Sequence, residues 1–260
     1  MKITKITCSL LMSALASLAL GAQPDTATSD TRWTGSAEIR YVGKHLFRGV
    51  QQSRQSMQAA VGYDPAGNGN GFHASGWLNQ PLHDDYNNEL DITAGYRHTL
   101  RGVQLDAGLT AYLYPEAETD NGETGYSCEL TLGASHEVLP EQAPGWTISG
   151  RVYYDMRLET RTFEVSTGYS LPFKLDNYPA TVDISAHLGN SHSDNLLPDL
   201  PGPNVKDGWT YYGATASVTV RFSKLLSATA GLQYGRACGQ FSGRDATNKL
   251  WGFIGAGLNW

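Results

Sequence analysis

The stretch Lys249–Trp260, KLWGFIGAGLNW, places Trp260, Leu258, Ala256, Ile254 and Gly252 on one parity and Asn259, Gly257, Gly255 and Phe253 on the other. Successive side chains of a strand point to opposite sides, so the segment reads as a ribbon apolar on one face and small or polar on the other. It carries no charge after Lys249 and ends on a bulky aromatic. Chain ends of water-soluble domains are commonly frayed and polar. A strand bordered by lipid has the opposite requirement, an apolar face with an aromatic at headgroup level.

Working outward from that ribbon, alternation recurs along the chain. Leu90, Ile92, Ala94 and Tyr96 oppose Glu89, Asp91, Thr93, Gly95 and Arg97. Val103, Leu105, Ala107, Leu109 and Ala111 oppose Gln104, Asp106, Gly108 and Thr110. The reading gives about twelve strands, at 33–47, 57–63, 72–79, 89–99, 103–114, 125–138, 146–157, 163–171, 181–190, 211–222, 226–234 and the terminal stretch. Most approach the nine to eleven or so residues with which a tilted strand crosses a bilayer. No helical periodicity of useful length remains. The segment 191–208, rich in Pro, Asn and Asp, reads as a loop between the ninth and tenth strands. Odd-to-even links are expected to be long and external, and even-to-odd links short, as at Arg101–Gly102.

Composition sets the outer bounds. The chain has 260 residues, 29 Gly, 14 Tyr, 17% charged residues and a formal net charge of −6. That balance, without a basic cluster, speaks against a nucleic-acid partner. The N-terminus reads as a secretion signal over residues 1–22, with Lys2 and Lys5 before the apolar run Leu10–Leu20 and small residues at Gly21–Ala22. A polar leader over 23–32 and a single barrel domain over 33–260 follow. Cys8 leaves with the signal. Cys128, mid-strand, and Cys238, in a late loop, are then in an oxidising compartment. A disulfide between them is possible but not favoured, and no metal-type spacing exists.

In-strand charge keeps one phase. Glu38, Arg40, Glu89, Asp91, Arg97, Asp106, Glu129, Arg151, Glu164, Asp183 and Arg221 all oppose the apolar residues, and His187 joins them. A basic residue facing lipid mid-strand costs ~2–4 kcal/mol, which demands a single parity. A soluble sandwich would invert the arrangement, and alternation alone does not separate the two. The signal, the terminal strand and aromatics near strand ends on the apolar phase (Tyr96, Trp146, Tyr169, Tyr212, Phe222, Tyr234) favour lipid outside. The fold expected is an all-β, transmembrane, antiparallel up-and-down barrel, with the charged phase lining a lumen. Mutual pairing is the default role for any one of these residues, and the group as a whole filters solutes.

The terminal strand resembles the C-terminal strand of bacterial outer-membrane proteins, which implies that Ile254, Leu258 and Trp260 address the barrel-assembly machinery. The stretch 41–63, YVGKHLFRGVQQSRQSMQAAVGY, resembles the opening of the TorF family of porins, a bacterial conserved hypothetical outer-membrane protein family. Tyr41, Phe47, Arg48, Gly49, Gln52 and Ser53, with Gly62, carry the match. Trp77, Glu89, Asp91, Gly95, Tyr96 and Arg97 extend it over roughly the first third. The resemblance implies a barrel in the outer membrane, in contact with lipid and lipopolysaccharide, with a channel role and no established catalytic residues.

The function expected is passive diffusion of small hydrophilic solutes through a narrow charged lumen, with mild cation preference, no cofactor and no metal. Both termini are expected to be periplasmic. Two alternatives stand beside the channel: a phospholipase-like barrel enzyme and a non-conducting structural or adhesive barrel. His73 and Ser75 are a weak signal for the enzyme, because both face the lumen while such an enzyme would hold its site on the lipid-facing side. His187, His192 and Asp194 suggest a metal site weakly, because loop histidines are usually solvated.

Overall fold

The computed structural model describes residues 33–65, 70–83, 87–117, 125–193, 208–238 and 249–260. The proposed signal, the leader and most of the three longest links therefore lie outside the described residues. Among the described residues the chain forms fourteen strands. They are β1 (Trp33–Val42), β2 (His45–Phe47), β3 (Val50–Ser53), β4 (Ser56–Pro65), β5 (Gly71–Pro81), β6 (Glu89–Leu100) and β7 (Val103–Leu113). The remainder are β8 (Tyr126–Glu137), β9 (Trp146–Asp155), β10 (Thr160–Leu175), β11 (Tyr178–Ser193), β12 (Trp209–Arg221), β13 (Leu226–Cys238) and β14 (Lys249–Asn259).

Twelve of these close into an antiparallel barrel in the order β1-β14-β13-β12-β11-β10-β9-β8-β7-β6-β5-β4. The last strand pairs with the first, Ser36 opposite Asn259 through Val42 opposite Phe253. Closure removes both sheet edges, so no row of unpaired backbone groups remains. Trp260 extends the seam. Gly35 N–H donates to the Trp260 carbonyl at 2.8 Å and Trp260 N–H donates back at 3.0 Å. The indole lies so close over Gly35 that a side chain there would overlap it.

The sides of the wall differ sharply. Large apolar residues stand exposed on one phase, among them Phe72, Ile92, Leu109, Leu132, Val152, Phe163, Ile184, Leu232 and Ile254. On the other phase lie buried Asn79, Glu89, Ser127, Glu129, Asp155, Thr162 and Ser191. Hydroxyls pair across neighbouring strands there, Thr93 with Thr110 at 2.9 Å, Ser149 with Ser166 at 2.6 Å and Thr219 with Thr229 at 3.0 Å. The barrel is polar within and apolar without. Aromatic pairs stand on the outer surface, Phe72 against Tyr96 and Tyr178 against Phe222, with ring centroids 5.0 and 5.4 Å apart.

Several boundaries differ from the sequence reading. The first strand stops at Val42 instead of Phe47, and the residues that follow form a separate two-stranded sheet, β2-β3. Alternation carries on across Gly43, so periodicity could not reveal the bend. β10 and β11 run to 16 residues each and meet at a tight turn, where Asp176 has a φ of 53°. Pro172 and Pro179, which fall between the eighth and ninth strands of the sequence reading (163–171 and 181–190), lie inside the ladder opposite Thr181 and Lys174. β11 continues to Ser193, so His192 is in a strand, and Cys238 is the last residue of β13, not a loop residue. Cys128 and Cys238 are free thiols on strands far apart around the barrel.

Replacing Gly35 by Leu drives a side chain into the Trp260 ring at the closing seam. The expected result is a lower temperature for loss of the compact, heat-modifiable form on semi-native gels, with Ser36→Leu, one position along on the inward phase, as the comparison. Equal melting of the two variants would show that the seam does not depend on this contact.

Candidate functional site: a hairpin folded across the barrel

Between β1 and β4 the chain leaves the wall and turns inward. β2 and β3 pair only with each other, His45 opposite Ser53, Leu46 opposite Gln51 and Phe47 opposite Val50, with an irregularity between His45 and Leu46. Arg48 and Gly49 form the turn, with φ values of 49° and 77°. Positive φ at both central residues is what a tight type I′ hairpin requires. Arg101–Gly102, joining β6 to β7, uses the same dipeptide with φ values of 51° and 80°.

The root of the hairpin is fixed by a buried hydroxyl and amide cluster. The Ser53 and Ser56 hydroxyls meet at 2.5 Å, and Asn79 Nδ2 donates to Ser53 Oγ at 3.4 Å. Gln58 Nε2 donates to Asn79 Oδ1 at 3.2 Å. Midway, the His45 ring lies 5.0 Å from Trp77, and its Nε2 is 3.6 Å from Glu89 Oε2. Tyr114 donates its hydroxyl to the other Glu89 oxygen at 3.1 Å.

The tip reaches the far wall. Arg48 Nη2 lies 2.8 Å from Glu129 Oε1 and 2.7 Å from Oε2 on β8. Tyr112 donates its hydroxyl to Glu129 Oε1 at 3.1 Å. The guanidinium sits over Phe47 and Tyr153, 4.6 and 4.7 Å from their ring centroids. Trp209 Nε1 donates to the Arg48 carbonyl at 3.1 Å. Val50 packs against the buried trio Trp209, Tyr211 and Ala237. Gly49 lies so near β13 that a Cβ there would meet the Arg236 carbonyl at 2.8 Å. In the barrel order β8 and β13 are separated by four strands one way and six the other. The hairpin therefore spans the interior almost diametrically.

Arg48 and Glu129 retain only 9% and 2% side-chain exposure. Burial opposes the charge on Arg48, and the Glu129 carboxylate together with the Tyr112 and Tyr211 hydroxyls outweighs it, holding the guanidinium above its ordinary pKa. Breaking a buried pair by removing one partner costs ~3–5 kcal/mol, because the other charge is left enclosed and uncompensated.

Every charged residue singled out in the sequence lies on the inward phase. Arg40 pairs with Glu38, its Nη2 2.8 Å from Oε1, and its guanidinium stands 4.5 Å over Phe253. Arg97 reaches Asp64 at 2.9 Å and Asp106 at 3.2 Å. Glu129 takes Arg48, and Glu164 accepts from Tyr211 at 2.8 Å. Asp183 accepts from Ser170 at 2.6 Å. Asp91 faces Trp77 across the ladder, its Oδ1 buried without a hydrogen-bond partner. Arg151 opposes Glu164 in register and fills the space that Gly133 leaves. His187 packs by Tyr211, and Arg221 ends β12 opposite Ser227. Ile254 is exposed outside, and Leu258 shares its phase opposite Ala37.

Among the motif residues, Phe47 lies edge-on to Tyr112 with ring centroids 5.7 Å apart, and Tyr41 sits on the exposed phase. Gln52, like Arg48, Gly49 and Ser53, belongs to the hairpin. His73 Nε2 lies 3.0 Å from Asp106 Oδ2, while Ser75 faces Gly62 across the ladder. His187 and His192 fall on opposite phases of β11, so the two cannot converge on one ion, and Asp194 lies outside the described residues. Sequence reasoning missed Trp209, Tyr153 and Asp155. The last accepts from Ser127 Oγ at 2.5 Å and from the backbone N–H groups of Arg157 and Leu158.

A side chain at Gly49 is excluded twice, by a left-handed backbone that costs an ordinary residue ~1–2 kcal/mol and by the β13 wall. Gly49→Val is expected to undock the tip and expose the bond after Arg48 to trypsin, while the wild type resists cleavage there. Equal resistance of both proteins would mean that the tip does not need its seat on β13.

Comparison with known proteins places this architecture. No curated protein matches the sequence. The NanC porin shares the fold with a TM-score of 0.53 and 12% identity, covering 85% of this chain and 98% of its own. The KdgM porin matches with a TM-score of 0.53 and 10% identity, over 86% of this chain and 98% of its own. The KdgM porin in complex with disordered oligogalacturonate aligns at 0.51 and 11%, with 86% and 98% covered. At these identities the likeness is one of fold. A sequence profile matches over residues 26–200, well over half of the chain: it belongs to the family described as bacterial protein of unknown function (Gcw_chp).

Proposed function

We propose that this chain is a bacterial outer-membrane channel through which small hydrophilic solutes diffuse passively. The observation that carries the reading is the inversion of the wall, with apolar side chains outside and hydroxyls, carboxylates and guanidiniums inside. Water would penalise an outer surface of Leu, Ile, Val and Phe at this density, whereas acyl chains suit it. The porin folds of the structural neighbours and the TorF resemblance at residues 41–63 support the same reading, as does the apolar N-terminal run expected to be a cleaved signal. With the termini periplasmic, the hairpin sits toward the outside of the cell.

Charge inside favours cations. Arg40, Arg48 and Arg97 are each neutralised by a carboxylate. Asp155 and Asp183 are held by the hydroxyls of Ser127 and Ser170, which leaves their negative charge uncompensated by those donors, whereas Glu164 has Arg151 opposite it in register. A lumen with such a surplus passes cations ahead of anions of similar size. The oligogalacturonate of the KdgM complex is an anionic sugar, and this interior does not suit it as well.

Two measurements test the reading. Purified, refolded protein in a planar bilayer should give step-like currents with a reversal potential on the cation side in a salt gradient. Acyl-hydrolase activity that is lost in Ser75→Ala, from a barrel with no conductance in any form, would contradict it. Separately, Leu132→Lys on the outward phase of β8 should destabilise the barrel in lipid vesicles by ~2–4 kcal/mol in a denaturant titration. Thr131→Lys, one residue away and facing inward, should cost far less. Reversal of that order would place the lipid on the wrong side.

A further inference from the structure

We propose that the hairpin β2-β3 is an autoinhibitory gate, closed by the contact between Arg48 and Glu129. This rests on the channel reading and adds to it how the path is shut.

Three observations carry it. First, the hairpin crosses the interior from its root at Ser53 and Ser56 to the opposite wall at Glu129, with Gly49 against β13. A solute moving along the barrel axis meets it. Second, β2 and β3 share no ladder with the barrel strands. The wall pairs Val42 with Ser56 directly beneath the hairpin, so the hairpin can leave without opening the barrel. It is a discrete element whose displacement breaks no pairing of the wall, as a switch requires. Third, the contacts that fix Arg48 at the tip are polar or cationic: the ion pair to Glu129, the Trp209 indole on the Arg48 carbonyl and the guanidinium over the Tyr153 ring, beside the apolar packing of Val50 and Phe47. Gln51, Gln52, Lys44 and Arg48 itself are groups that water solvates well once the hairpin swings out. The Arg48 charge thus has a partner in either position, Glu129 inside or water outside. Glu129 is the side that loses most on opening, because among the described residues its enclosed carboxylate then keeps Tyr112 alone as a donor.

The test compares, in planar bilayers, the wild type, Glu129→Gln, Arg48→Gln and a form in which residues 44–54 are replaced by a short Gly-Ser link. Folding of each is checked by heat-modifiable mobility. The linked form is expected to conduct several-fold more than the wild type. The two single variants should lie between, with frequent transitions between the small and large levels. If the wild type conducts as well as the linked form, the hairpin is no gate and the channel reading survives. If the folded linked form is silent, the channel reading fails and the gate with it.

A second measurement stands without conductance. With Cys128 and Cys238 both replaced by Ser, a cysteine substituted for Val50 is probed with a charged maleimide. Modification should be slow in the parent and several-fold faster with Glu129→Gln. Equal rates would overturn the ion pair as the latch.

Discussion

The structure depends on the closed backbone ladder. Each N–H and C=O of the wall must find its partner in a neighbouring strand, because nothing in the apolar surroundings proposed for it could serve instead. The β1 to β14 pairing meets that demand by leaving no edge, and the Gly35–Trp260 bonds extend it to the last residue. Once the ladder is closed, the direction of every wall side chain is settled by parity alone. The polar interior and the apolar exterior are then two consequences of one constraint.

A polar interior raises its own demand, since enclosed groups without partners are costly. The barrel meets it locally in most places, through hydroxyl pairs between adjacent strands such as Thr162 with Ser191 at 2.8 Å. Glu129, like Glu89 beside His45, is met from further away. It lies on the wall, yet its cation comes from a hairpin 81 positions earlier in the chain. The interior thus holds an element of the wall's own chain, and the contact that pairs the carboxylate also pins that element across the barrel.

The barrel was legible in the sequence because parity is a local property. Leu90 to Arg97 and Val103 to Leu113 state their two faces without knowledge of any neighbour. The hairpin was not legible from periodicity, because His45 and Phe47 continue the alternation of β1 past Gly43. A signal did exist: Arg48–Gly49 repeats the Arg101–Gly102 dipeptide that was read correctly as a link, and both make the same kind of turn. The eighth and ninth strands err in the opposite direction. The sequence reading stops at 171 and resumes at 181, yet Pro172 and Pro179 lie within the ladder, because an antiparallel ladder tolerates proline where its missing N–H is not required. At the site, the inward phase of the charges could be read residue by residue. Which carboxylate takes Arg48 could not, because that depends on the arrangement of strands around the barrel.

The central claim is that the apolar phase meets lipid and the polar phase an enclosed aqueous interior. A nitroxide scan along β7 in lipid vesicles tests it most directly, with collision rates measured against oxygen and a water-soluble nickel chelate. The account predicts that labels at 105, 107, 109 and 111 collide with oxygen, while labels at 104, 106, 108 and 110 do so far less. Alternation of the opposite sign, or nickel access to the leucine positions, would contradict it.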